Sequence, residues 1–124
     1  YTAVASCGTL AAHSPTAFTW ADTDVVIDAP FTGLHVSHVA IAGCVLNDTR
    51  REAHKRGIPI DGVRVSVRGG FDLQGAVFGD IEYVLDIDSP ASEGQVRELA
   101  DFVELIAEIP RALVDSVKVV RARS

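Results

Sequence analysis

The sequence predicts an α+β fold formed by a single domain spanning residues 1–124, and three observations lead there. Short β-prone pieces fill the first thirty residues. An apolar stretch from Gly33 to Arg56 then runs more than 20 residues without proline, and period-two strands are followed by a second, amphipathic helix. No internal repeat, linker or low-complexity tract divides the chain.

The first strands are expected at Thr2 to Ser6, Ala17 to Ala21 and Val25 to Asp28, separated by Gly8, the Ser14-Pro15 pair and Asp22. In Gly33 to Arg56, Leu34, Val36, Val39, Ile41, Val45 and Leu46 are distributed around the helix barrel, and a helix apolar on all sides is a buried helix. Its end is marked three times. Arg50, Arg51, Lys55 and Arg56 complement the negative end of the macrodipole, Gly57 suits a left-handed cap, and Pro59 forbids continuation.

Val63, Val65 and Val67 alternate with Arg64, Ser66 and Arg68, which predicts a strand with one buried face, ended by Gly69-Gly70. Ile81 to Ile87 is expected as the next strand, with Ile81, Tyr83, Leu85 and Ile87 on one face and Gly75 and Gly79 marking turns before it. Two starts compete for the second helix: Ser89-Pro90, or Ser92 with Gln95 as a capping box. Val96, Leu99, Val103 and Ile106 form its apolar stripe. Pro110 interrupts, a short helical turn is expected at Arg111 to Asp115, and Val117 to Val120 closes the chain as a strand.

Composition narrows the function. Eleven Lys and Arg against 17 Asp and Glu give a net charge of −6, which argues against a binder that neutralises phosphates with a basic face, so neither nucleic acid nor membrane is an expected partner. No apolar run approaches the roughly 20 residues of a bilayer span, and no secretory leader opens the chain, so a cytoplasmic location is expected. The chain contains no Met and begins at Tyr1, which predicts that a few residues precede it. Two cysteines, Cys7 and Cys44, are too few for a disulfide framework and fit a reducing compartment.

Cys44 sits mid-helix in Ala40-Ile41-Ala42-Gly43-Cys44-Val45-Leu46, where its bland role is that of a small buried hydrophobe. It lies about three turns from the helix start, and Asp48 follows one turn on; both favour the neutral thiol. Arg51 is about two turns away, so a cation touching the sulfur must come from elsewhere. His35 and His38, at i, i+3, have a spacing that can serve a metal, yet two ligands do not make a site, and they are expected as partly exposed histidines near the helix start. His54 is expected as a solvated complement to the dipole, and His13 as a turn residue. Gly69-Gly70 and Gly75 open no helix and cradle no phosphate. Neither metal nor cofactor is predicted.

The run from His38 to Ala53 around Cys44, followed by Lys55-Arg56-Gly57-Ile58-Pro59-Ile60-Asp61-Gly62 and the strand through Val67, resembles the OsmC/Ohr family of osmotically inducible and organic-hydroperoxide-resistance proteins. Phe71-Asp72, the strand at Ile81 to Ile87, Ser89-Pro90 and Pro110 follow the family's order of elements. The resemblance covers about Phe31 to the C-terminus. It implies an antiparallel sheet with a long buried central helix in an intertwined homodimer, and a cysteine-based peroxidase acting on organic hydroperoxides in oxidative-stress defence, with a dithiol as reductant. By position Cys44 is the peroxidatic cysteine.

Three features depart from the family pattern. Ile109 stands before Pro110 where the resolving cysteine belongs, no arginine precedes Arg50 to serve as the strand arginine, and Leu34 occupies the place of the family glutamate. The leading expectation is therefore a one-cysteine thiol peroxidase using Cys44, resolved by an external thiol or by Cys7. Two alternatives remain: a family-like protein that binds a small hydrophobic ligand without chemistry, and a purely structural dimer in which Cys44 is packing.

Overall fold

The structure is a computed structural model that describes residues 2–10, 17–20, 23–30, 32–72, 77–107 and 119–123. His13, the Ser14-Pro15 turn, Gly75, Pro110 and the expected turn at Arg111 to Asp115 lie outside the described residues.

The elements are β1 (Thr2–Gly8), β2 (Ala17–Trp20), β3 (Thr23–Asp28), α1 (Gly33–Arg56), β4 (Gly62–Asp72), β5 (Val77–Asp88), α2 (Glu93–Ile106) and β6 (Val119–Arg121). The strands form one six-stranded sheet in the order β2-β3-β1-β4-β5-β6. Every pair from β2 to β5 is antiparallel, whereas β5 and β6 run parallel, so the sheet is mixed rather than antiparallel throughout. The reason is the crossover. Helix α2 separates β5 from β6 in the chain, and a helical connection brings a strand back in the same direction.

Both helices contribute to one core on the same face of the sheet. On β4, Val63, Val65 and Val67 are fully buried, as the alternation predicts, and they meet Ile41, Ala42, Val45 and Leu46 of α1 together with Leu99 and Val103 of α2. Cys7 of β1, Val25 and Ile27 of β3, and Ile81 and Tyr83 of β5 extend the same core. Each such side chain contributes about 1.5–3 kcal/mol relative to exposure. On the opposite face the odd-even pattern places charge: Arg64 pairs with Asp86 at 3.4 Å, and Arg68 with Glu82, each directly across the β4–β5 ladder.

Gly57 takes the left-handed conformation (φ 66°) and closes α1 where the sequence predicts, with its N–H donating to the carbonyls of Ala53 and His54. At α2 the capping box prevails over Ser89-Pro90. Ser92 accepts from the Gln95 N–H at 3.2 Å, and Gln95 accepts from the Ser92 N–H at 3.3 Å. Ser89 instead ties the preceding loop, donating to the Pro59 carbonyl at 2.6 Å.

Two glycine readings need correction. β4 does not end at Gly69-Gly70 but continues to Asp72 through a register irregularity between Gly69 and Phe71, and Gly79 lies inside β5 rather than in a turn. Gly69 lets the strands approach here, since a Cβ would stand 3.0 Å from Ile81 Cγ1 and 3.1 Å from the Asp80 carbonyl oxygen.

Helix α1 is buried along one stripe only, through His35, His38, Ile41, Ala42, Val45, Leu46, Asp48, Thr49, Glu52 and Ala53. Its opposite face is apolar at the N-terminal end yet uncovered by the described chain: Val36 is 47% exposed, Ala40 is exposed, and Val39 and Gly43 are half-buried. Among the described residues no helix is long and apolar enough to cross a membrane.

Leu99 of α2 is fully buried in this core. Leu99→Ala is expected to cost about 2–5 kcal/mol by the loss of its buried methyls and the cavity left behind, read as a lower urea midpoint with an unchanged slope.

Candidate functional site

The site begins with how α1 is oriented. Thr32 caps the helix, its hydroxyl accepting from the His35 N–H at 3.2 Å and lying 2.7 Å from His35 Nδ1. With the buried stripe fixed against the sheet, Cys44 falls on the flank between that stripe and the uncovered face. It is half-buried and packs against the core, and both Cys7 and Cys44 are free thiols. Cys7 is buried near the end of β1, paired in the ladder with Val63.

Cys44 Sγ lies 3.9 Å from Asp48 Oδ2, directed to donate to it, one turn along the same helix. Asp48 is only 5% exposed, and a buried carboxylate needs a partner. Its other oxygen has one: Arg51 Nη1 stands 2.9 Å from Oδ1. Arg51 in turn meets Glu52 Oε2 at 3.3 Å, and Lys55 reaches the same oxygen at 3.4 Å. The result is one continuous row: thiol, carboxylate, guanidinium, carboxylate, ammonium.

The electrostatics of the row agree with its geometry. Burial works against the Glu52 carboxylate, but the hydrogen bonds from Arg51 and Lys55 outweigh it and hold its pKa below the usual value. The hydrogen bond to Glu52, followed by the charge of Asp48, holds the Arg51 guanidinium more firmly protonated than an isolated one. Arg51 thus serves Asp48 and not the sulfur, in keeping with the two turns that separate it from Cys44.

From the sheet side the neighbour is Tyr83 of β5. Its phenol is pushed up to about 12, first by burial and next by Glu104 of α2; Cys44 acts in the same direction, while Arg121 and Arg123 oppose it. Tyr83 is therefore a neutral hydroxyl near the thiol at physiological pH. Arg121 is held by Asp101 at 3.0 Å and Glu104 at 3.2 Å, and Arg123 by Glu104 at 3.0 Å and Asp101 at 3.5 Å, so these cations are committed to α2.

The other sequence candidates fall elsewhere. His54 is exposed in the last turn of α1, as expected. His35 and His38 are not partly exposed: they are 8% and 0% accessible, because the helix turns both toward the sheet. Among the described residues His38 Nε2 has no hydrogen-bond partner, and Nδ1 lies 3.5 Å from the Ser37 hydroxyl. Among the described residues no group of three or more His, Cys, Asp or Glu could hold a metal ion. Tyr83, Arg121 and Arg123 gave no sequence signal as site residues, because only the pairing of β6 with β5 brings them together. The coupling of Asp48 to both Cys44 and Arg51 was signalled by helical spacing alone.

A long central helix carrying a half-buried cysteine, laid across a sheet and flanked by a second helix, defines a class. The chain belongs to the OsmC-like protein family, whose sequence profile matches residues 29–120. Solved structures agree in fold. An OsmC-like protein from Mycoplasma pneumoniae superposes with a TM-score of 0.66 at 23% identity, covering 78% of this chain and 73% of that one. The organic hydroperoxide resistance protein OhrB of Bacillus subtilis gives a TM-score of 0.57 at 14% identity over 86% of this chain and 93% of that one. An organic hydroperoxide resistance protein OsmC from Legionella pneumophila gives 0.57 at 14% identity, covering 99% and 98%. No curated protein matches the chain in sequence.

Burial, reinforced by the nearby His35, lowers the pKa of His38 below 6.5, so the folded state holds it neutral where an unfolded chain would protonate it. Its effect is absent above pH 6.5. Stability is expected to fall as pH drops below that value, levelling once His38 is protonated in the folded state too. His38→Leu should flatten this part of the profile, read by urea unfolding at a series of pH values; an unchanged slope would exclude His38 as its source.

Proposed function

We propose that this protein acts in oxidative-stress defence as a homodimeric, one-cysteine thiol peroxidase that reduces organic hydroperoxides through Cys44. The observation that carries the reading is the placement of Cys44: mid-way along the central helix of an OsmC-like chain, half-buried on its flank, with Sγ 3.9 Å from an ion-paired carboxylate. A fully enclosed packing cysteine needs neither the flank nor the carboxylate.

The chemistry balances with two reactants. Sulfur attacks one oxygen of the hydroperoxide; the S–O bond forms as the O–O bond breaks, leaving a sulfenic acid on Cys44 and an alcohol, with the thiol proton passing to the departing alkoxide. A thiolate of an external dithiol then attacks the Cys44 sulfur and expels water. The dithiol's second sulfur closes its own disulfide and releases Cys44 as the thiol. An external reductant is required because Ile109 replaces the resolving cysteine before Pro110. Cys7, buried at a strand end, has no part in this cycle.

The second copy follows from the uncovered face of α1. Val36, Val39, Ala40 and Gly43 make an apolar strip whose small residues admit a close helix approach, and packing it against its twin covers it in both chains.

Cys44→Ser is expected to abolish dithiol-dependent consumption of cumene hydroperoxide, and Cys7→Ser to leave it unchanged. Equal rates for wild type and Cys44→Ser would favour a hydrophobic-ligand or structural role instead. Val36→Glu places a charge on the uncovered strip and should convert the dimer to monomer in analytical ultracentrifugation; a wild type that already sediments as a monomer would exclude the dimer.

A further inference from the structure

We infer that the groove between α2 and the β5–β6 edge of the sheet binds a monocarboxylate with an apolar body, its carboxylate on Arg97 and its body along Leu85, Ile87 and Val96. Cys44 does not line this groove, and the inference stands apart from the peroxidase reading.

The floor comes from a core that runs out past its cover. On β5, Ile81 and Tyr83 are each 2% exposed, whereas Leu85 and Ile87, the next two residues on the same face of the strand, are only half-buried. Val96 of α2 is half-buried too, and Ala100 follows it by one helical turn. These four apolar side chains line one open cavity of about 460 Å³, a size that suits a small ligand. An apolar floor left open at the end of a buried row favours a partner that is itself apolar.

Charge selects the kind of partner. A second cavity of about 370 Å³ adjoins the first toward β6, and Leu85, Arg97 and Arg121 line both. Arg121 and Arg123 pair there with Asp101 and Glu104, two guanidinium groups against two carboxylates, so that network is neutral by itself. Arg97 is the surplus cation. It stands four residues from both Glu93 and Asp101, the spacing at which helical ion pairs form, yet among the described residues it pairs with neither. Its fork of N–H donors matches a single carboxylate with two parallel bonds, and one negative charge cancels the surplus. Asp86 and Glu93 line the first cavity but not the second. Asp86 is engaged by Arg64 at 3.4 Å, and repulsion from Glu93 keeps a ligand's carboxylate toward the β6 end.

Isothermal titration of the full chain with octanoate tests the assignment. Octanoate is expected to saturate a single site per chain, with acetate, which lacks the apolar body, and octan-1-ol, which lacks the charge, each about tenfold weaker or more. Arg97→Gln, a change at an exposed position, is expected to weaken octanoate about tenfold through loss of one charge-assisted pair. Arg68→Gln removes the same charge from the opposite face of the sheet and should leave the affinity unchanged. Val96→Ala should weaken octanoate several-fold. Cys44→Ser should bind octanoate as the wild type does, so failure of the groove and failure of the peroxidase reading are told apart. Absence of saturable octanoate binding, equal affinity for acetate or octan-1-ol, equal losses in Arg97→Gln and Arg68→Gln, or an unchanged affinity in Val96→Ala overturns the proposal.

Discussion

The packing of one stripe of α1 against the valines of β4 governs everything else in this molecule. Ile41, Ala42, Val45 and Leu46 meet Val63, Val65 and Val67, and both sets are essentially removed from water. Because a helix advances 100° per residue, fixing these four positions fixes the direction of every other side chain on α1. Cys44 is thereby held at the edge of the buried arc, neither sealed beneath the helix nor free on its outer face. Val36 and Ala40 are turned away from the sheet by the same rotation. The site and the uncovered strip are two consequences of one interface.

That rotation also carries two acids into the buried arc, and their placement would be costly if they stood alone. Asp48 and Glu52 lie one turn apart on the stripe, each nearly inaccessible. Their cations come from the neighbouring, more exposed positions Arg51 and Lys55, whose long stems reach inward while their other sides stay wet. Removing either partner would strand a buried charge, so the row behaves as one unit. Cys44 terminates that unit at the end nearest the middle of the helix. The helix's own sequence thus supplies the carboxylate beside it, and Tyr83 of β5 adds a hydroxyl from the sheet side.

Much of this was legible in the sequence, and the limits are physical. The bounds of α1, its Gly57 cap and the inward valines of β4 follow from local periodicity and termination signals, which tertiary packing here reinforces. The i, i+4 relation of Cys44 to Asp48 and the i, i+3 relation of Asp48 to Arg51 were equally local. What sequence spacing does not carry is which arc of an all-round apolar helix the sheet selects. Hence His35 and His38 were expected in partial contact with solvent and instead lie beneath the helix. Glycine was ambiguous for a related reason: Gly69 and Gly79 read as strand ends, but in a long twisted pair they are sites of close approach and bulging inside the ladder. The parallel entry of β6, and with it the gathering of Tyr83, Glu104, Arg121 and Arg123, depends on a crossover that no short-range pattern encodes.

The charge distribution finally bears on how a thiol in this position could react at all. A cysteine held permanently as thiolate would need a cation against the sulfur, yet Arg51 and Lys55 are engaged by Asp48 and Glu52, and Arg121 and Arg123 by Asp101 and Glu104. A net negative charge would then sit half-buried beside Asp48, at a Coulombic cost that rises as water is excluded. The same pairing that makes a buried aspartate tolerable in the fold makes it a poor companion for a resting thiolate.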